Sequence, residues 1–290
     1  MKNSFSIYIC AVVLGLLAGA AGSSAVYAQE RTTKKITIVG STTLLPIATR
    51  AAEQFAAKNN RTVSITVNGG GSGVGVQSTG SGRADIGMAS RDITSAEKQR
   101  FQKPGLRILV VGRDAVACVV SSEVYSAGVR ALSREQIGGI YLGKIKNWKV
   151  VGGPDREIVV IDKERHRGTR HVFMKYVFGD EKARAPGARL VTGSNNEEQS
   201  KIAQSDSAIG MLSIAWINAD VVGVGIREGG EIIEPTLDNV RANRFPISRD
   251  LNLVTVGEPM GVVKEFLNFV VSPEGQKIVS ESGYIPVHSH

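Results

Sequence analysis

Stretches of alternating apolar and polar residues, together with continuous apolar runs, predict the strands of this chain. Residues 34–39 and 62–67 alternate, which is typical of strands with one buried face. Continuous apolar runs predict strands that are buried on both faces. These runs occupy residues 83–89, where an acid stands inside the run, and residues 106–111, 115–120, 158–161, 207–211, 221–226 and 251–256.

Capping residues and 3.6-residue periodicity predict helices between these strands. Pro46 fits a first helical turn, and the apolar residues Ile47, Ala51 and Phe55 then recur every four positions. Capping boxes predict three further helix starts, and Ser272 followed by proline predicts the start of the final helix; the boxes begin at Thr94, Ser133 and Ser194. Strands that alternate with helices predict an α/β chain with mostly parallel sheets, whose ligands bind beyond the carboxyl ends of the strands.

A glycine-rich stretch, Asn68-Gly69-Gly70-Gly71-Ser72-Gly73-Val74-Gly75, follows one predicted strand and precedes a helical turn. A helix that starts after such a break directs backbone N–H groups and partial positive charge at one point, which favours an anion. The stretch lacks the Gly-Lys-Ser/Thr of a P-loop and the register of a dinucleotide fingerprint. A simple turn explains the same residues equally well.

The N-terminus has the pattern of a secretory signal peptide. Lys2 precedes an apolar stretch at residues 7–21, and small residues lead up to Ala28. We therefore predict a signal peptide at residues 1–28 and an exported mature chain. Cys10 lies within the apolar stretch rather than at its end, so a lipid anchor is not expected, and Cys118 is left alone as a buried, unreactive thiol.

The mature chain is moderately basic. The full chain of 290 residues has a formal charge of +8, and removal of Lys2 leaves about +7, from 34 basic and 27 acidic residues. Aromatic residues make up 6% and do not cluster with the basic ones, so nucleic acid is not an expected partner. The four histidines lack metal-ligand spacing to acids, and we predict no metal and no cofactor.

Several short motifs in order resemble the periplasmic phosphate-binding proteins of ABC importers. The similarity extends over most of residues 35–287 and includes the C-terminal Gly283-Tyr284-Ile285-Pro286. The motifs are Gly40-Ser41-Thr42-Thr43, Gly70-Gly71-Ser72-Gly73, Ala84-Asp85-Ile86-Gly87, Tyr141-Leu142-Gly143-Lys144-Ile145-Lys146-Asn147-Trp148, Gly168-Thr169 and Phe245-Pro246-Ile247-Ser248-Arg249.

This resemblance implies an α/β, two-lobed, type II periplasmic-binding-protein (venus-flytrap) fold whose backbone crosses twice at the hinge. By analogy, lobe one would comprise residues 29–117 and 248–290, and lobe two residues 118–247. The resemblance also implies an anion site between the lobes, for which we expect the residues Thr42, Thr43, Ser72, Gly73, Asp85, Lys163, Arg167, Gly168 and Thr169.

Asp85 and the segment before Gly168 determine what that site would select. Phosphate keeps a proton that a carboxylate such as Asp85 can accept, whereas sulfate would face an unpaired repulsion. The family pattern is Arg, three residues, then Ser-Gly-Thr, but here Lys163 replaces the arginine and Arg167 the serine. Arg167 could supply the bidentate contact that lysine cannot, or it could be solvated. Arg91 stands where many relatives carry an acid.

The resemblance implies a monomeric periplasmic binding protein, not an enzyme, that captures inorganic phosphate and delivers it to an inner-membrane ABC permease. Another oxyanion, or a role in phosphate sensing, is the alternative. A secreted phosphatase or hydrolase is a further alternative, although no nucleophile and base share a recognisable motif.

Overall fold

A computed structural model describes residues 33–287 of the chain, and the predicted signal peptide, Cys10, His288 and His290 lie outside this range. The strands are β1 (Lys34–Gly40), β2 (Val63–Gly69), β3 (Ile86–Ala89), β4 (Leu106–Ser121), β5 (Ala131–Ser133), β6 (Val159–Lys163), β7 (Ala188–Thr192), β8 (Ala208–Ser213), β9 (Val221–Gly223), β10 (Gly225–Glu228), β11 (Glu231–Ile233), β12 (Ser248–Val256) and β13 (Ile285–Pro286). The α-helices are α1 (Leu45–Lys58), α2 (Ser72–Gly80), α3 (Ser95–Arg100), α4 (Ser122–Ser126), α5 (Arg134–Tyr141), α6 (Gly168–Phe178), α7 (Asn195–Ala203), α8 (Leu237–Arg241), α9 (Gly261–Val271) and α10 (Pro273–Glu281).

Lobe one is built on β2-β1-β3, which pair in parallel, with β12 antiparallel to β3. The apolar residues of α1 that recur every four positions face this sheet, as their spacing predicts. Phe55 on α1 packs edge-to-face on Phe266 of α9, with ring centroids 5.5 Å apart. Together with Ile36 and Ile38 they form one hydrophobic core.

Lobe two has a separate hydrophobic core around Tyr141, Trp148 and Phe173. Its sheet contains β8-β6-β7 in parallel, and β5, β10 and β11 form a smaller sheet. The indole of Trp148 donates to the Ser207 carbonyl at 3.0 Å, which satisfies its only polar atom in a fully buried position.

The strands β4 and β12 connect the two cores and pair antiparallel with each other. Val111 of β4 packs in the core of lobe one, whereas Ala115 and Val116, a few residues later, pack in the core of lobe two. The predicted two lobes with two crossings are therefore present. The residue boundaries that we assign to the lobes stay a prediction.

Several local predictions require correction. The apolar runs at 106–111 and 115–120 are one strand of 16 residues, because the intervening Gly112, Arg113 and Asp114 also pair with β12. The sheets are mixed rather than mostly parallel, because the crossing strands pair antiparallel with their neighbours. The predicted strand at 221–226 divides into β9 and β10, while Cys118 is fully buried, as expected.

Candidate anion-binding site

A small polar cavity lies between the two lobes. Lobe one contributes the turn from β1 to α1 and the end of β3, and lobe two contributes the N-termini of α6 and α7. Six of the residues expected at the site line this cavity, namely Thr42, Thr43, Lys163, Arg167, Gly168 and Thr169. Five further residues complete the lining, namely Ser41, Gly71, Ser90, Ser194 and Asn195.

Arg249 links the hydroxyl groups around this cavity. Its Nη1 donates to Thr169 Oγ1 at 3.0 Å and to Ser90 Oγ at 3.3 Å, and its Nη2 donates to Thr43 Oγ1 at 3.2 Å. Thr169 belongs to lobe two, whereas Thr43 and Ser90 belong to lobe one. The guanidinium at the start of β12 therefore contacts both walls of the cavity.

Asp114 of β4 stands opposite Arg249 in the strand register and is its counter-ion. Asp114 Oδ2 accepts from Arg249 Nη2 at 2.6 Å and from Nε at 3.0 Å, and Ser213 Oγ donates to Oδ1 at 2.9 Å. Complete burial raises the pKa of the Asp114 carboxyl, and the charge of Arg249 opposes this shift. The pair fixes the guanidinium rigidly behind the cavity.

Lys163 and Arg167, both expected at the site, also carry carboxylate partners. Lys163 Nζ is ion-paired with Glu198 and donates to the Ser194 carbonyl at 3.2 Å, and the side chains of both members of the pair are almost fully buried. Burial lowers the pKa of Lys163 and raises that of Glu198, while each charge opposes the shift of the other. Arg167 Nε donates to Glu164 Oε2 at 2.8 Å, so three cations at the cavity face three carboxylates.

Helix N-termini of lobe two meet at the cavity. Gly168 and Thr169 form the first turn of α6, whose N-cap residue makes no side-chain capping bond. Ser194 caps α7 by accepting from the Glu197 amide at 3.0 Å, and Asn195 in the first turn donates to Thr43 Oγ1 at 3.0 Å. First-turn amides and the helix dipoles favour negative charge at this point.

Of the two explanations that the sequence allows for the glycine stretch, the contacts of its amides favour the turn. The amides of Gly70 and Gly71 both donate to the Gly40 carbonyl at 2.8 Å, and the Gly73 amide donates to the His166 carbonyl at 3.0 Å. These amides are therefore engaged by protein carbonyls. Ser72 is fully buried beside the cavity rather than in its lining, and its Oγ accepts from the Ser90 amide at 3.0 Å.

The structure does not place Asp85 with the other expected residues. Asp85 precedes β3 and is exposed, and its Oδ2 accepts from the Thr37 amide at 2.8 Å. Ser90, which lines the cavity, follows the other end of β3, about 16 Å away at roughly 3.3 Å per strand residue. The hypothesis that Asp85 accepts a ligand proton is therefore wrong, because this residue lies at the opposite edge of the sheet.

Arg91 is nine-tenths buried and ion-paired with Glu97, and it does not line the cavity. Burial alone would raise the pKa of Glu97, but the bonds and charge of Arg91 and the capping bonds of Thr94 lower it below its usual value.

The sequence-based predictions missed Ser41, Ser90, Ser194, Asn195 and Arg249 as site residues. The capping box at Ser194 and the Ser-Arg of the 245–249 motif were the available signals.

Within residues 33–287, no group of three or more His, Cys, Asp or Glu side chains is placed to hold a metal ion. None of the helices described is long and apolar enough to cross a membrane.

Comparison with known proteins places this geometry in a family. The sequence matches the PBP superfamily domain over residues 25–274. It is 31% identical over 299 residues to the phosphate-binding protein PstS of Bacillus subtilis (strain 168), with 99% of this chain and 95% of that protein covered. It is 28% identical over 261 residues to PstS of Borreliella burgdorferi, with 88% and 90% covered.

Solved structures agree with these sequence relationships. One is a protein from Clostridium perfringens with bound phosphate, described as a phosphate ABC transporter substrate-binding protein; it has a TM-score of 0.79 and 32% identity and covers 88% of this chain. An ABC-type phosphate transport receptor from Vibrio cholerae has a TM-score of 0.69 and 32% identity, with 86% of this chain and 99% of that chain covered. The chain therefore belongs to the PBP superfamily and to its PstS-like family.

Proposed function

We propose that this protein captures inorganic phosphate in the cavity between its lobes and delivers it to an ABC permease of the inner membrane. The relatives that match over nearly the whole chain are named phosphate-binding proteins, and one similar structure contains bound phosphate. In this role the protein is a monomer of the periplasm, exported by the predicted signal peptide at residues 1–28.

The observation that carries the proposal is the chemistry of the cavity lining. Hydroxyls and helix N-termini supply neutral donors, and each cation at the cavity has its own carboxylate. A dianion can then be bound by converging hydrogen bonds without trapping a permanent excess of buried charge. Such binding remains reversible, as delivery to a transporter requires.

A hydrolytic function receives less support. Near the cavity, the hydroxyls of Ser41 and Ser72 each hydrogen-bond to Ser90, Ser90 accepts from Arg249, and Ser194 caps α7. Among residues 33–287, none of these serines has a histidine as a hydrogen-bond partner, and the relatives are binding proteins of transporters. A sensing role would use the same cavity and differ only in the partner that recognises the closed lobes.

Isothermal titration calorimetry on phosphate-stripped protein tests the proposal. We expect micromolar or tighter phosphate binding, and weaker affinity by at least about tenfold in Thr43→Val, which removes one charge-oriented hydroxyl without changing side-chain shape. Thr66→Val, on the exposed face of β2, is the matched control and should bind as the wild type does. Failure of the wild type to bind phosphate would reject the proposed function.

A further inference from the structure

The hydrogen bonds around Thr43 have a defined direction. A hydroxyl has one proton to donate and two lone pairs to accept with. Thr43 Oγ1 accepts from Arg249 Nη2 at 3.2 Å and from Asn195 Nδ2 at 3.0 Å. Both lone pairs are therefore occupied, and the proton of this cavity-lining hydroxyl remains available for a ligand.

Ser90 and Thr169 are oriented in the same way. Ser90 Oγ accepts from Ser41 Oγ at 2.8 Å and from Arg249 Nη1 at 3.3 Å, and Thr169 Oγ1 accepts from the same Nη1 at 3.0 Å. A guanidinium only donates hydrogen bonds. Arg249 therefore keeps these hydroxyls in the role of acceptors toward itself. The proton of Thr169 remains available for a ligand, whereas Ser90 Oγ also lies 3.4 Å from Ser72 Oγ, with which it can share its proton.

The described lining of the cavity contains no carboxylate. The acids behind it, Asp114, Glu164 and Glu198, each hold a cation, and Asp85 lies at the far edge of the sheet. A protonated ligand oxygen would meet only neutral acceptors in this lining, such as the side-chain oxygens of Thr42 and Asn195. No lining group would repel an unprotonated oxygen by charge.

We propose that this cavity selects tetrahedral dianions as a class and does not discriminate by a ligand proton, so that sulfate binds in it alongside the monoprotonated phosphate dianion. The inference rests on the proposed function, because it names the ligand class of the same cavity. Loss of a neutral hydrogen bond changes affinity by about 3- to 10-fold, whereas a buried unpaired charge would exclude sulfate far more strongly. We therefore expect the dissociation constant of sulfate to lie within about 100-fold of that of phosphate.

Calorimetry of the full mature chain with inorganic phosphate and with sulfate at pH 8 tests this directly. Phosphate should also bind more weakly at pH 6 than at pH 8, because the additional ligand proton occupies an oxygen that these hydroxyls would otherwise donate to. Sulfate weaker than phosphate by more than about 100-fold would overturn the inference while leaving the proposed function intact. Binding of neither anion would overturn both.

Asn195→Asp provides a gain-of-selectivity test, because it places a carboxylate beside Thr43 at nearly unchanged size. We expect this variant to weaken sulfate binding at least about tenfold more than phosphate binding. Asp85→Asn removes the exposed acid and should leave the sulfate-to-phosphate ratio of the wild type unchanged within about twofold. A changed ratio in Asp85→Asn, or an unchanged ratio in a folded Asn195→Asp, would contradict the inference, and the wild-type sulfate titration decides the question if that variant does not fold.

Discussion

The glycine corner between β2 and α2 differs instructively from the corner at the start of α7. The glycine corner is the more conspicuous in sequence, yet the amides of Gly70, Gly71 and Gly73 donate to protein carbonyls. The start of α7 has an ordinary capping sequence, yet both Ser194 and Asn195 line the cavity, whereas the glycine corner contributes Gly71. The glycine-rich composition of one corner and the cavity lining at the other therefore reflect different constraints on the chain.

Close packing explains the glycines. Gly71 has φ +89°, and a Cβ there would lie 2.8 Å from Arg167 Cδ, in the opposite lobe. A Cβ on Gly75 would lie 2.6 Å from the Met88 carbonyl oxygen, within the lobe-one sheet. These positions let the chain approach other backbone and the facing lobe, whereas the donors for an anion come from hydroxyls and from helix starts in lobe two.

The largest expected effect comes from Arg249, which donates to cavity hydroxyls of both lobes. Arg249→Met leaves Asp114 buried without its cation, which should lower the free energy of unfolding by about 3–5 kcal/mol. Loss of the hydroxyl orientation should weaken phosphate binding by more than about 100-fold, as measured by calorimetry. Arg241→Met, which breaks an exposed pair with Asp238, is the control and should change stability by less than about 1 kcal/mol.

A double variant separates the two roles of Arg249. Asp114→Asn combined with Arg249→Met removes both buried charges, so the free energy of unfolding should recover relative to Arg249→Met. Phosphate affinity should stay low, because the hydroxyls of Thr43 and Thr169 still lack their donor. Recovery of affinity together with stability would show that Arg249 acts only as a structural residue.

The next largest effect is expected from Gly168→Ala, which tests whether the lobes must approach closely at the start of α6. A Cβ on Gly168 would lie 2.7 Å from Ser90 Oγ and closer still to Ser72 Oγ, so Gly168→Ala should hold the lobes apart. We expect about 100-fold weaker phosphate binding with little change in the thermal midpoint, because alanine is well tolerated in a first helical turn. Calorimetry and thermal denaturation give the two values.

Gly138→Ala is the matched control for this variant. Gly138 also lies on a helix, α5, but an added Cβ would meet Phe178 and Val177 at 3.5 Å, an ordinary contact distance. Affinity in this control should equal that of the wild type. Equal affinity in Gly168→Ala would instead mean that the lobes do not need this close approach.

The smallest effect concerns His171 on α6, which lies in a groove beside the hinge with Arg91, Lys98 and Lys175. Burial, and then the charge of Arg91, lower the pKa of His171 from 6.5 to about 4. Because the folded pKa is depressed, the stabilisation is complete above about pH 6.5 and is lost as the pH falls toward 4. The half-buried position limits this contribution to about 1–2 kcal/mol.

His171→Gln isolates that contribution. Urea denaturation at several pH values gives the free energy of unfolding of both proteins. The value for the wild type should fall relative to that of the variant as the pH is lowered from 6.5 to 4. Parallel curves for the two proteins over this range would contradict the predicted shift.

Local patterns predicted much of the fold, because caps and periodicity act over a few residues. Pro46, the capping box at Ser133 and the start of α10 after Ser272 all lie where the sequence places them. The union of two apolar runs into β4 was missed, because Gly112, Arg113 and Asp114 look like a turn until they pair with β12. Long-range pairing determines that strand.

The residues of the candidate site show the same difference between local signals and long-range contacts. Thr42, Thr43, Gly168 and Thr169 stand at strand–helix junctions that a sequence can identify, and they line the cavity. Arg249 could not be assigned from spacing, because its hydroxyl partners are up to 206 residues away in the chain. Asp85 was misplaced because β3 begins after it, and this boundary determines the sheet edge on which the carboxylate lies.

A crystal structure of the mature chain with bound phosphate tests the central claim most directly. We expect the anion to lie within hydrogen-bond distance of Thr43 Oγ1, Thr169 and the first-turn amides of α6. An anion held instead by the amides of Gly70 and Gly71, or by Asp85, would contradict it.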